Sequence, residues 1–191
     1  ANGNAGARYV DMYEQVKDTG KLGRELRTEY LNRSIKYLTK SIAMHPKYTN
    51  SYLNLGIVYY KMHIPDSSAK YWGIAKYIYP DHPSLKKYYP LLGQSYMDEA
   101  EALHQQGKIQ EALVALKKGV QADNSNPDIW YNLGGAYFTI HQWDSARYAW
   151  NATTSLLQAR KDTALTRRLG PITMKGLSNL PAPTTTVNGI K

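Results

Sequence analysis

Residues 52–60 read YLNLGIVYY and residues 130–138 read WYNLGGAYF. Laid over each other, they align Tyr52 with Trp130, Leu55 with Leu133, Gly56 with Gly134 and Tyr59 with Tyr137. Spacings of three and four residues put these positions on one face of a helix. Each stretch runs into a similar sequence, HIPDSSA at 63–69 and HQWDSA at 141–146, and then into Trp72 and Trp150. Asp66 and Asp144 are placed to accept hydrogen bonds from free amides as N-caps of a second helix. Glycine at 56 and 134, with short side chains at Ser68 and Ala146, lets the two helices approach closely. The tryptophans fill the wider space beside them.

Further out, a small residue opens an amphipathic helix at Ser34, Ser68, Ala112 and Ala146, at steps of 34, 44 and 34 residues. Such self-similarity is the mark of a repeat architecture. In the first unit Ser34, Leu38, Ser41 and Pro46 hold the register, and DTGKLGREL at 18–26 reads as a long loop after a first helix over residues 4–17. In the third, Gly107, Ala112 and Leu116 hold it, while Tyr96, Glu99 and Ala100 stand at the aromatic, Leu and Gly positions. The extra residues fall in PSLKKYYPLL at 83–92, where Pro83 and Pro90 argue against one unbroken helix. Leu156, Leu157, Leu165 and Leu169 carry a helical pattern to a stop at Gly170 and Pro171. The remainder, containing LPAPTTTVNG, lacks periodicity and reads as irregular.

These residues resemble the tetratricopeptide repeat family. The resemblance implies an all-α fold, a right-handed α-solenoid of about four helix-turn-helix hairpins plus a C-terminal capping helix. The array covers residues 1–169, with units at about 4–48, 49–82, 83–126 and 127–158, a capping segment at 159–169 and an irregular tail at 170–191. It also implies that the first helix of each repeat lines a concave groove. Unit two presents Leu53, Asn54, Ile57, Tyr60 and Lys61 there; unit three Met97, Asp98 and Glu101; unit four Tyr131, Asn132, Gly135 and Phe138. Asn54 and Asn132 match positions at which some relatives hydrogen-bond a peptide main chain, an amide being both donor and acceptor. Asp98 departs from that pattern. The Lys, Asn and Arg clamp for a C-terminal carboxylate is not matched, since Leu53, Ile57, Met97 and Glu101 stand on these faces.

Composition narrows the remaining classes. The chain has 191 residues and no cysteine, so disulfides, thiolate metal sites and cysteine nucleophiles drop out together. No run approaches the roughly 18 apolar residues of a membrane span, and Ala1 to Ala7 carry no signal-peptide pattern. The set Asp98, Glu101 and His104 forms an acidic and imidazole stripe on one helix, able to attract a cation or a basic peptide. As a metal site it lacks the second Glu-x-x-His that helical di-metal proteins use. His45, His63, His82 and His141 fall at turns and helix ends, and there is no phosphate loop or nucleophile elbow. The expected function is therefore a non-catalytic scaffold, with no cofactor or metal, holding a protein or peptide segment.

Two other readings follow from charge and from resemblance. Twenty-four Lys and Arg against fifteen Asp and Glu give +9, which a solvated outer face explains and which also fits a basic nucleic-acid-binding surface. The seventeen tyrosines, the high pI and the opening NGNAGARYVDMYEQ resemble the C-terminal repeat region of certain bacterial membrane glycosyltransferase-like proteins. That resemblance implies an extracytoplasmic array that positions a substrate for its parent. Exposed end faces of such an array also offer a route to self-association.

Overall fold

The computed structural model describes residues 1–183, and the expected irregular stretch from Thr184 onward lies outside them. Among the described residues all regular structure is helical: α1 Asn2–Gln15, α2 Lys21–Met44, α3 Thr49–Lys61, α4 Pro65–Ile78, α5 Leu85–Gln105, α6 Ile109–Ala122, α7 Pro127–Thr139, α8 Trp143–Arg160 and α9 Thr163–Ser178. By packing, the chain divides into a unit of residues 1–92 and a second from Gly93 onward, with the boundary inside α5.

In the first unit the α3–α4 hairpin closes on Gly56. A Cβ there would lie 2.1 Å from Trp72 Nε1, and the Trp72 indole N–H donates to the Leu53 carbonyl at 3.0 Å. The tryptophan therefore sits on the glycine itself, not in a wider space beside it, and is held by a backbone bond. The α1–α2 pair closes similarly on Gly6, where a Cβ would meet Leu38 Cγ at 2.5 Å, and Ser34 Oγ donates to the Gly6 carbonyl at 2.9 Å. Val10, Leu31, Leu38, Leu55 and Val58 form the core between these helices.

The second unit repeats the device. A Cβ on Gly134 would lie 2.4 Å from Trp150 Cδ1, and Trp150 Nε1 donates to the Tyr131 carbonyl at 3.1 Å. The core combines Ala100, Ala112, Leu116, Ile129, Leu133, Ala136 and Ala149. On α9, Leu169 and Thr173 are buried, and Gly176 lets the helix seat against the Trp150 ring. Arg168 adds an ion pair to Asp128 at 2.7 Å.

The α3–α4, α5–α6 and α7–α8 turns share one backbone solution. His63, Gly107 and His141 take positive φ (56°, 75° and 59°). The next amides, of Ile64, Lys108 and Gln142, donate back to the carbonyls of Tyr59, Leu103 and Tyr137. These are the bonds of a Schellman helix end, and the turn histidines occupy a left-handed position that favours glycine.

Four local expectations are corrected. The N-caps of α4 and α8 are Ile64 and Gln142 without side-chain capping bonds, and Asp66 and Asp144 lie inside the first turn, where their charge favours the helix dipole. The turn delivers the chain straight into the next helix, leaving no separate capping residue. The long loop at 18–26 is short, because α2 begins at Lys21; Asp18 accepts from the amides of Gly20 and Gly23 at 2.8 and 2.9 Å and starts the helix. Helix α5 runs unbroken through Pro90, and α9 runs through Gly170 and Pro171 to Ser178, so residues 170–178 are helical. Both prolines, and Lys86 and Arg167 four residues before them, are exposed. Water can thus satisfy the carbonyl that each proline leaves unpaired, while buried Leu92, Tyr96 and Leu169 hold the helices in place.

Candidate functional site: a groove in the second unit

Met97, Glu101 and His104 recur at helical spacing along α5, and Asn132, Gly135 and Thr139 along α7, so each set shares one face. The two faces form the walls of a groove of about 510 Å³, completed by Tyr131 and floored by Ala100, Ala112, Leu116 and Ala136. The three alanines keep the floor low. Gly135 keeps the α7 wall low: a Cβ there would meet nothing within 4 Å, in contrast to its neighbour Gly134. Glycine in mid-helix costs up to about 1 kcal/mol relative to alanine, and at 135 no internal contact requires it.

The polar groups are held from behind or along their own helix. Gln105 Nε2 approaches Glu101 Oε1 at 3.5 Å, Thr139 Oγ1 donates to the Gly135 carbonyl at 3.0 Å, and the Tyr131 carbonyl receives the Trp150 indole. Glu101, His104, Asn132 and Thr139 are exposed, whereas Met97, Tyr131 and Gly135 are half-buried. An exposed amide beside an apolar trough can pair with a peptide main chain whose side chains enter the trough.

Of the site residues expected from the sequence, Met97, Glu101, Tyr131, Asn132 and Gly135 come together here. Asp98 is exposed one turn from the groove and accepts from Gln94 at 2.7 Å. Phe138 packs against Trp143 and Trp150, with ring centroids at 5.2 and 5.7 Å.

The first-unit residues have internal work. Leu53 is 3% exposed and is a core residue, not a groove residue. Ile57 packs on the first unit's core and Tyr60 lies against the Trp72 ring. Lys61 Nζ pairs with Glu14 Oε1 at 2.6 Å and lies 5.0 Å from the Tyr13 ring centre. Asn54 is half-buried. The hydrogen bond from Lys61, then its charge, holds the Glu14 carboxyl below the ordinary carboxylate range.

His104, which the stripe with Asp98 and Glu101 singles out in the sequence, lines the groove with Thr139 and the small floor residues, whose individual sequence signals are weak. Alanine on a helix reads as core, and Thr139 becomes informative only beside its first-unit counterpart, Lys61. Among the described residues no three His, Asp or Glu side chains converge to hold a metal, and no helix is long and apolar enough to cross a membrane.

Residues 100–140 match the family model of the TPR repeat, a stretch that spans the end of α5, all of α6 and α7. The match places a tetratricopeptide repeat within the second unit. Among solved structures it is similar to the MamA protein, at 16% identity over 92% of this chain and 84% of that one, with a TM-score of 0.42. It is also similar to TTC0263, a thermophilic TPR protein of Thermus thermophilus, at 15% identity over 93% of this chain and 100% of the other, with a TM-score of 0.35. No curated protein matches at a significant level.

Proposed function

We propose that the chain is a binding scaffold whose second unit holds an extended segment of a protein partner in the groove between α5 and α7. The observation that carries this is Gly135, a mid-helix glycine facing open space at the groove wall. Such a position lets another backbone approach closely. Asn132 lies beside it to pair with that backbone, and Met97, Leu116 and Tyr131 supply the apolar trough. The reading is independent of whether the array is part of a longer, membrane-bound protein.

Its test is a plug. Gly135→Trp fills the groove from a position that has room, so binding should be lost while the melting temperature changes little. A paired variant, His104→Glu with Thr139→Lys, copies the Glu14 and Lys61 residues of the first unit and should also block the groove. Binding by peptides selected on wild-type protein, retained in full by both variants, would contradict the reading.

A further inference from the structure

We infer that the segment bound in this groove presents a lysine or arginine side chain, with Glu101 as its counter-charge; this rests on the groove reading above. The first unit supplies the template. Gly3 packs against Ser41 and Ser51 as Gly93 packs against Gly119 and Ile129, which sets α1 in correspondence with α5, and α2–α3 with α6–α7. On that correspondence Glu14 matches His104 and Lys61 matches Thr139.

In the first unit a cation of the chain itself fills the place. Lys61 reaches from α3 to α1, its side chain 17% exposed, its ammonium on the Glu14 carboxylate and over the Tyr13 ring. In the second unit the lysine is replaced by threonine, which is too short to cross, and the groove stays open. A carboxylate is still there: Glu101 stands on the same α5 face, one turn before His104, and its contact is with a neutral amide. Asp98 adds a second negative charge one turn further back.

Charge complementarity then fixes the class of occupant. Among the described residues Glu101 is the groove's carboxylate and no Lys or Arg lines it, in a chain whose net charge is +9. Met97 and Tyr131 can cover the aliphatic stem of a long cationic side chain, and the Tyr131 ring can face its charge. An acidic segment would bring like charge to Glu101 and gain no cation in return.

The experiment pans a random dodecapeptide phage library on the full chain and measures the enriched peptide against variants. The expected result is a lysine or arginine at one enriched position. Binding should be about tenfold weaker to Glu101→Gln, as for loss of a charge-assisted hydrogen bond, and weaker still to Glu101→Lys. Replacing the peptide's basic residue by norleucine should cost the same factor on wild type and nothing more on Glu101→Gln. Glu101 is exposed, so these variants are expected to fold, and circular dichroism checks that they do. Enriched peptides without a basic position, still lost in Gly135→Trp, overturn the charge assignment and leave the groove standing. A library that yields no binder, or binders indifferent to both Glu101 and Gly135, overturns both.

Discussion

Adjacent glycines on α7 meet opposite surroundings. A Cβ at 134 would collide with Trp150, whereas one at 135 would meet nothing within 4 Å. Gly134→Leu, or Gly56→Leu against Trp72, should therefore destabilise by roughly 1 to 3 kcal/mol or more through overpacking. Gly135→Ala should instead stabilise by about 0.5 to 1 kcal/mol, the helix-propensity difference. Urea unfolding of the three variants checks both signs, and equal effects at 134 and 135 would contradict the assignment. The recurrence of Gly56 and Gly134 with Trp72 and Trp150 is legible in the sequence, but the seating of each indole on the glycine itself is not. Nor is the indole-to-carbonyl bond, since it depends on a ring orientation that spacing does not encode. The Glu14–Lys61 pair was likewise hidden, its partners being far apart in sequence. Its acid dependence follows from the depressed Glu14 pKa: the stabilisation is present above the ordinary value of 4.5 and is lost as pH falls through the lower folded value. A carboxyl NMR titration should place the Glu14 midpoint below 4.5, and Lys61→Met should move it back up.

Elements were harder to read at their ends than in their middles. The periodicity of α3, α4, α7 and α8 is plain in the sequence, whereas Pro90, Gly170 and Pro171 mark stops that α5 and α9 do not obey. Pro90 and Pro171 lie on exposed faces, where the missing amide leaves only a solvated carbonyl unpaired. Pro90→Ala and Pro171→Ala should each stabilise by roughly 2 to 2.5 kcal/mol, the helix gain less the freedom returned to the unfolded chain. A fall in stability would mean that the prolines hold a conformation the helices need. The turns carry the opposite lesson. His63 and His141 occupy left-handed positions with no glycine to announce them, so the repeated turn geometry could be found at Gly107 alone. His63→Gly and His141→Gly should raise stability by about 0.5 to 1 kcal/mol, by relieving the left-handed backbone of a residue with a Cβ.

For the molecule as a whole, composition pointed one way and the site points another. A net charge of +9 favours acidic partners over the general surface, whereas the groove of the second unit carries the Glu101 carboxylate and, among the described residues, no lysine or arginine. Composition averages over the surface and cannot locate the exception. Five of the residues expected from the sequence line one groove, whereas equivalent repeat positions do not do equivalent work: Leu53 and Lys61 serve the first unit's own packing. The most direct measurement of the central claim is an NMR titration of isotope-labelled protein with the peptide selected on wild type. Binding in the groove should give saturable amide shifts at Glu101, Asn132, Gly135 and Thr139, with little change at Tyr148 or on α9. Shifts confined to exposed lysines and arginines, and abolished by moderate salt, would contradict it and assign the interaction to the basic surface.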